Sequence, residues 1–568
     1  MGAWMTPRMR GRLRGRLARL YGEGNATRLL DRLSSMFGRY GVGAGVLEES
    51  DSAERWSERD SVLITYGDSL HEGDVHPLSS LRRFADEFLA DAFTTIHLLP
   101  FYPYSSDDGF SVMDYRSVNP ELGNWEDVQA LGTRFDLMFD LVLNHVSRKS
   151  RWFQSYYEGD APYRDYFIET DPHADLSAVV RPRSLPLLAE VKRSGQSRWL
   201  WATFSDDQLD LNFANPDVLF EMLDILFGYI ARGARVIRLD AIAYLWKRIG
   251  TSCIHQPETH EVVKLFRDVL ELVAPNVLLL TETNVPHEEN IRYFGDGDEA
   301  HMVYQFSLPP LLLHALQTGN GRYLHEWLRA LSAPPAGCTY FNFTASHDGI
   351  GVRPLQGILP DAEVEALVAR TLARGGQVST RRTEEGRDVP YELNITYFSA
   401  LAEGGDEALD IERFLCSQTL PLALQGIPAV YFQSLMGASN DEAGFKVTGR
   451  ARSLNRKKWV RAELDSLFHI SDGRERKIFD ELRRRLKIRA SCAAFHPDAA
   501  QAVLEAAAGC IALRRTAASG ATVLALHNLT DAPIEVVLPE VKSAARDLLN
   551  PRSHSLATLA PYQCRWLV

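Results

Sequence analysis

Val236-Ile237-Arg238-Leu239-Asp240-Ala241 is a short apolar run broken by an arginine and an aspartate. Its β-branched residues and leucine predict a buried strand. Strand side chains alternate with period two, so Arg238 and Asp240 face one side. A core strand does not ordinarily end on two charges facing the same way, because an unpaired buried charge is costly. Two readings fit the segment by itself: a structural ion pair at a strand end, or a reactive carboxylate that Arg238 keeps ionised. Matching carboxylates at the ends of other strands favour the second.

Further runs outward from this one read as strands at 62–66, 95–100, 137–142, 277–281, 302–304, 339–343 and 429–432, with helical stretches near 78–89 and 125–131. Their spacing suits βα units, which force parallel pairing with helices outside. Eight such strands predict an α/β fold, a (β/α)₈ TIM barrel, rather than an open doubly wound sheet. No Gly-rich dinucleotide turn follows the first strand. The chain between the third strand and Val236 is too long for one βα connection, and its Trp152, Tyr156, Tyr157, Tyr163, Tyr166, Phe167, Trp199 and Trp201 show no helical period. Long loops in compact domains are usually functional. The expected organisation is an N-terminal helical extension over 1–56, a barrel over 57–488, an inserted subdomain over 147–206 above its mouth, a polar rim insertion over 355–397, and a C-terminal antiparallel β domain over 489–568.

Composition narrows the function. The 568-residue chain is 45% hydrophobic and 24% charged, as globular proteins are, with a net charge of -12 that argues against nucleic acid as a partner. No uninterrupted apolar run is long enough to span a bilayer. Cys253, Cys338, Cys416, Cys492, Cys510 and Cys564 are scattered without metal-ligand spacing, which predicts a reducing, cytoplasmic setting. Arg8, Arg10, Arg12, Arg14, Arg16 and Arg19 resemble the basic start of a targeting peptide, but no apolar segment follows. A basic amphipathic helix is the better reading, leading into a second over 26–40 with Leu29, Leu30, Leu33 and Met36 at helical spacing.

Side chains at the C-terminal ends of barrel strands converge on one mouth. Here those ends carry Asn144-His145, Arg238 and Asp240, Glu282, and His347-Asp348. Any one alone reads as a cap or loop anchor; together they make a chemical site. Two facing carboxylates are what glycosidic bond chemistry needs, one protonating the leaving oxygen and the other attacking the anomeric carbon or activating water. Arg238 is expected to keep Asp240 ionised as nucleophile. Glu282, with no adjacent cation in sequence, is the better candidate acid, and Asp348, next to His347, is suited either to stabilise an oxocarbenium-like state or to hold sugar hydroxyls.

Arg238-Leu239-Asp240-Ala241, Thr281-Glu282-Thr283-Asn284, Ser346-His347-Asp348-Gly349-Ile350-Gly351 and Leu143-Asn144-His145 resemble the signature blocks of glycoside hydrolase family 13, the α-amylase-type enzymes. Ile64-Thr65-Tyr66, Leu99-Pro100-Phe101, Asp107-Asp108-Gly109-Phe110, Gly250-Thr251-Ser252-Cys253, Leu308-Pro309-Pro310-Leu311-Leu312-Leu313-His314 and Leu454-Asn455-Arg456 resemble its sucrose phosphorylase group. Within that group, Pro100-Phe101-Tyr102-Pro103, Ser105-Ser106-Asp107-Asp108 and Glu299-Ala300-His301-Met302-Val303-Tyr304 are most similar to the glucosylglycerate phosphorylases. The likeness is specific over 61–459 and looser beyond.

The resemblance implies a retaining α-glucoside phosphorylase with Asp240 as nucleophile, Glu282 as acid/base and Asp348 as stabiliser. It implies glucose binding by Asp107, His145, Arg238, His347 and Arg456, an aromatic platform at Phe110, and Gln208 as a shield against water. It further implies inorganic phosphate as co-substrate, no other cofactor, no metal, and a monomer or homodimer acting on a small α-glucoside. Glucosylglycerate is the expected substrate. Sucrose or sucrose 6'-phosphate, hydrolysis or transglucosylation, and a silent sugar-binding barrel are the alternatives. Arg181, Arg183, Arg353 and Lys446 are candidate anion contacts, and His255, Lys247 and Arg248 candidate partners for an acceptor carboxylate.

Overall fold

The computed structural model describes residues 5–40, 55–383, 386–470, 473–541, 545–552 and 558–568. Parts of the expected N-terminal extension (1–4 and 41–54), rim insertion (384–385) and C-terminal domain (542–544 and 553–557) lie outside them. Eight parallel strands close a barrel: β1 Val62–Thr65, β2 Thr95–Leu98, β3 Asp136–Val142, β4 Ala234–Asp240, β5 Leu278–Thr281, β6 Met302–Tyr304, β7 Thr339–Asn342 and β8 Ile427–Tyr431. Each pairs with its sequence neighbours, and β8 returns to β1. All eight expected strands are in place. The register sets Arg238 of β4 beside Asp140 of β3 and Leu280 of β5. Closure abolishes sheet edges, so these apolar strands are buried all round.

Two N-terminal helices, α1 Pro7–Tyr21 and α2 Glu23–Arg39, pack against the barrel. Thr6 caps α1 by accepting from Met9 N, and Pro7 takes the first-turn position where a missing N–H costs nothing. Leu13, Leu17 and Leu20 are buried, while Arg16 bonds Asp268 at 3.1 Å and Asp298 at 3.0 Å. The basic run is thus a docking face on α4 Pro257–Val273, which follows α3 Pro216–Ala231 on the barrel's outer ring.

The stretch above the mouth holds more regular structure than its sequence suggests. Helix Arg151–Glu158 is capped by Ser150, and Leu188–Arg193 pairs with Gln196–Trp201 as a hairpin. A ladder of His145–Ser147 with Gln208–Asp210 ties this excursion to the barrel. The polar rim stretch likewise contains helix Asp361–Ala373 and the hairpin of Gln377–Arg382 with Asp388–Asn394. Clusters of aromatic and polar residues hid these elements, because each has one face on the protein and one in solvent.

After α5 Glu407–Ala423 and α6 Arg474–Ala490 the chain forms an antiparallel sheet of β9 Ala500–Leu504, β10 Cys510–Thr516, β11 Thr522–Asn528 and β12 Cys564–Leu567. Two buried arginines seal it to the barrel. Arg515 donates to the carbonyls of Ala423 (2.9 Å) and His496 (2.8 Å), and Arg489 to those of Leu422 (3.0 Å) and Phe495 (3.1 Å). Burial pushes Arg515 down to about 9 and, against the nearby charges of Asp60 and Glu58, Arg489 down to about 10. Among the described residues no helix is long and apolar enough to cross a membrane.

Candidate active site

The site forms where β4 ends. Asp240 is the last residue of the strand, and Ala241 turns the chain with φ 50°, in the left-handed region. That turn aims the Ala241 N–H at Glu282 Oε2, 3.0 Å away, just beyond β5. Beneath them Arg238 donates to Asp240 Oδ1 at 2.7 Å and also to Asp140, which His97 Nε2 meets at 2.6 Å from the far side. Arg238 therefore serves two carboxylates, not one. Burial pushes the Asp240 carboxyl well up, and the charges of Glu282 and Asp140 add to this against the pull of Arg238. Arg238, expected to keep Asp240 ionised, does bond it but divides its charge between Asp240 and Asp140, so burial is opposed less than a dedicated partner would oppose it. Burial raises Glu282 too, helped by the charges of Asp348 and Asp140.

Asp348 is different. Burial opposes its charge, but Arg452 at 2.7 Å leads a group of cations that hold it well below the usual carboxylate range. Arg452 also bonds Glu392 at 2.8 Å and approaches Asp107 at 3.5 Å. Arg456 lies a step behind, bonding the His347 carbonyl at 2.8 Å and Asp108 at 2.5 Å.

Asp107 and Asp108 have φ of 52° and 46° and are followed by Gly109 at 113°, three successive residues in a region that L side chains avoid. At Gly109 a Cβ would stand 2.5 Å from the Pro100 carbonyl, so only glycine fits. Asp207 holds this strained loop by accepting from Ser105 and Ser106 at 2.5 Å and Ser111 at 2.8 Å. Strain sustained by surrounding bonds is characteristic of functional loops. Phe110 then stacks on His347, with centroids 4.6 Å apart and planes 5° from parallel. His145 Nε2 meets the Phe110 carbonyl at 3.0 Å, and Gln208 Nε2 reaches His145 at 3.2 Å and Asp107 at 3.4 Å. Burial lowers both His145 and His347, so both rings are neutral.

One pocket collects Asp240, Glu282, Asp348, Asp107, Phe110, His145, Gln208 and His347. Of the ten expected site residues, Arg238 and Arg456 do not line it: the first sits beneath Asp240, and the second faces a neighbouring outer cavity. Arg452, Glu392, Tyr391, Tyr244, Phe204 and Asn284 line it unforeseen. Arg452 stands one turn before Arg456 and could have been found from that spacing. Tyr391 and Glu392 carried no signal, lying in a hairpin not recognised as regular. The Asn284 Oδ1 atom is buried without a protein partner.

Among the anion candidates, Arg183 lines the pocket, 5.5 Å from the Tyr391 ring and 3.8 Å from Glu392. Arg353 approaches Tyr244 Oη at 3.5 Å, and Arg181 donates to the Leu185 carbonyl. Lys446 stands on the exposed helix Glu442–Thr448 beside Glu442, away from the pocket. The expected carboxylate partners do not reach it either. His255 bonds Tyr293 (2.9 Å) and Glu289 (3.0 Å), and Arg248 pairs with Glu258. Lys247 is buried, 2.5 Å from Asp210 and 2.6 Å from Asn144 Oδ1. All three follow a strand end in sequence but turn away from the mouth.

Residues 88–333 match the model of the α-amylase catalytic domain, and 507–567 match that of the D-apionate lactonase C-terminal immunoglobulin-like domain. A glucosylglycerate phosphorylase of Spirochaeta thermophila is 48% identical over 89% of this chain and 86% of its own. The chain belongs to the α-amylase family. Another member, a glucosylglycerate phosphorylase of Allomeiothermus silvanus, is 44% identical over 99% of both chains. The crystal structure of sucrose 6F-phosphate phosphorylase from Thermoanaerobacter thermosaccharolyticum superposes with a TM-score of 0.73 at 26% identity, covering 85% of this chain and 95% of that one. The α-amylase-family barrel thus accounts for the convergence of Asp240, Glu282 and Asp348 at one strand-end face.

Proposed function

We propose that this chain is a retaining α-glucoside phosphorylase that cleaves 2-O-α-D-glucosylglycerate with inorganic phosphate, giving α-D-glucose 1-phosphate and D-glycerate. The observation that carries this reading is the 44–48% identity to glucosylglycerate phosphorylases over most of the chain, against 26% for the sucrose 6F-phosphate enzyme. Activity of this kind needs two carboxyl groups in opposite protonation states at one bond.

The geometry supports a division of roles. Asp240 and Glu282 are both pushed up by burial, and Arg238 pairs directly with Asp240 at 2.7 Å. Burial raises Asp240 the further of the two, and the direct Arg238 bond is what suits Asp240 to attack C1 as carboxylate while Glu282 protonates the departing glycerate oxygen. A covalent β-glucosyl-enzyme results. Phosphate enters from the side the glycerate left, Glu282 takes its proton, and a second inversion restores the α configuration. Asp348, held ionised by Arg452, suits the stabiliser of an oxocarbenium-like state. Phe110 offers an aromatic face to the sugar, and Gln208 closes the floor beside His145.

Phosphate and the glycerate carboxylate are both anions, so one cationic wall can serve each in turn. Arg183, Tyr244 and Tyr391 beside Arg353 suit that wall, locally cationic within an acidic protein. The reaction as written uses no metal. The Lys247 ammonium bridges Asn144 and Asp210, supplying a built-in positive charge behind His145. The six thiols are all free, which supports a reducing, cytoplasmic setting.

The test is to incubate the protein with glucosylglycerate, sucrose or sucrose 6'-phosphate, each with and without phosphate. Phosphate-dependent glucose 1-phosphate from glucosylglycerate is expected. Free glucose formed at the same rate without phosphate, or preferential cleavage of either sucrose, would sink the reading.

A further inference from the structure

Far from the mouth, three residues with metal-binding side chains meet where the barrel touches the C-terminal sheet. Cys416 comes from α5, His527 from β11 and Cys564 from β12. Their Sγ and ring nitrogen atoms all lie within 4.8 Å of one another. His527 and Cys564 are direct cross-strand partners, with Nδ1 and Sγ 3.2 Å apart. Cys416 and His527 are completely buried and Cys564 is 7% exposed. Sequence spacing conceals the group, since the ligands come from a barrel helix and two non-adjacent segments of a separate sheet.

We propose that Cys416, His527 and Cys564 form a structural zinc site that fastens the C-terminal sheet to the barrel. Thiolate and imidazole together select a borderline-soft divalent ion of the zinc type over magnesium or calcium. In a tetrahedral zinc site the ligand atoms stand roughly 3.3–3.8 Å apart, from bonds of about 2.0–2.3 Å. The His527–Cys564 contact, at 3.2 Å, is already close to that spacing, and the other ligand atoms lie within 4.8 Å. Each ligand sits on a regular element, so little ordering entropy opposes binding.

The surroundings fit a bound cation. Two thiolates would neutralise zinc, and burial is tolerable for a neutral set where it is costly for one ion. The neighbouring Arg485 is engaged by Glu481 at 3.3 Å and by the Leu415 carbonyl at 3.3 Å, so its charge is already balanced. Glu412 lies one turn before Cys416 on the same helix. The three side chains leave the fourth position of a tetrahedral site to a water. Cys510 belongs to the sheet's other face, packed with Leu524 and Leu526. Cys492 lies outside the cluster and serves as a control.

The experiment uses the full-length chain produced in zinc-supplemented and, separately, cobalt-supplemented medium, then gel-filtered. The expected result is about one equivalent of zinc per chain and, in the cobalt protein, intense thiolate-to-cobalt charge-transfer absorption. Cys416→Ala and Cys564→Ser should abolish that absorption, and Cys492→Ala should keep it, with phosphorolysis and circular dichroism reporting that each variant is folded. If a variant fails to fold, the wild-type protein decides: less than a tenth of an equivalent of zinc, or a cobalt spectrum without thiolate bands, overturns the site. An unchanged cobalt spectrum in both folded cysteine variants overturns it equally. Phosphorolysis of glucosylglycerate is read separately, so loss of the metal site leaves the proposed reaction standing.

Discussion

The backbone N–H of Ala241 donates to Glu282 Oε2 across 3.0 Å, so the turn that ends the Asp240 strand also holds the second carboxylate. Two groups with opposite tasks are thereby spaced by one rigid turn instead of two mobile side chains.

The raised Glu282 should define the alkaline limb of the activity profile. An acid whose value is raised stays protonated to higher pH, so turnover of glucosylglycerate should decline only as pH rises through that raised value. Glu282→Gln is expected to lower kcat for glucosylglycerate by about 10²–10⁴-fold and to erase the alkaline limb. With α-glucosyl fluoride, whose leaving group needs no proton, formation of the glucosyl-enzyme should survive in the variant. Initial-rate pH profiles on both substrates check this, and equal losses on the two would assign Glu282 to something other than proton transfer.

Asp140 shares Arg238 with Asp240 and is itself gripped by His97 at 2.6 Å. Asp140→Asn should destabilise the protein in denaturant unfolding by less than the about 3–5 kcal/mol typical of a broken buried ion pair, because Arg238 keeps Asp240 as a partner. The same change removes a negative charge that raises Asp240. The Asp240 carboxyl should therefore ionise at lower pH, and the acid limb of the activity profile should move downward. A limb that stays in place would show that Asp240 does not sense Asp140.

Barrel, strand count and carboxylate trio were legible because each rests on local pattern: an apolar run, then a charged strand end. Arg452, Tyr391 and Glu392 were not, since they enter the pocket from loops and a hairpin whose path over the mouth is set by tertiary contacts. Lys247 shows the opposite failure. Its position after β4 suggested a mouth residue, but burial and two oxygen partners draw it behind His145. The Cys416–His527–Cys564 cluster was invisible for the same reason as Arg452: no spacing rule joins a helix to two strands of another domain.

That Lys247 pairing gives a clean test of coupling. Lys247→Met leaves Asp210 buried with only neutral donors, among them Asn144 Nδ2 at 3.0 Å and Thr203 Oγ1 at 2.6 Å. A loss of about 3–5 kcal/mol is expected for that single change. The double variant Lys247→Met with Asp210→Asn should recover a good part of it, as two uncharged groups replace a stranded charge. Additive losses in urea unfolding would mean that the pair does not interact.

Acid should weaken the fold through His145 and His347. Both are buried and lowered in the folded chain, so the unfolded chain binds their protons more readily. Stability from this source is complete above the unfolded value of about 6.5 and is lost as pH falls below it. The thermal midpoint should therefore drop between about pH 7 and pH 5. His347→Gln, destabilised in itself, should show a shallower drop over that window, and an identical slope would exclude His347 as a source.

Arg183 is where the choice of anion should be felt. It stands 5.5 Å from the Tyr391 ring and 3.8 Å from Glu392, with no closer carboxylate among the described residues. A guanidinium so placed keeps donors for an incoming phosphate or carboxylate, and each tenfold change in binding corresponds to about 1.4 kcal/mol. Arg183→Ala is expected to raise KM for phosphate and for glucosylglycerate tenfold or more, leaving glucosyl-enzyme formation from α-glucosyl fluoride within about twofold. Arg183→Lys should restore little, because an ammonium loses both the planar fork and the stacking on Tyr391. Loss of phosphate affinity with that of glucosylglycerate intact would assign Arg183 to phosphate only. Unchanged KM for both would move the anion wall to Arg353 and Tyr244.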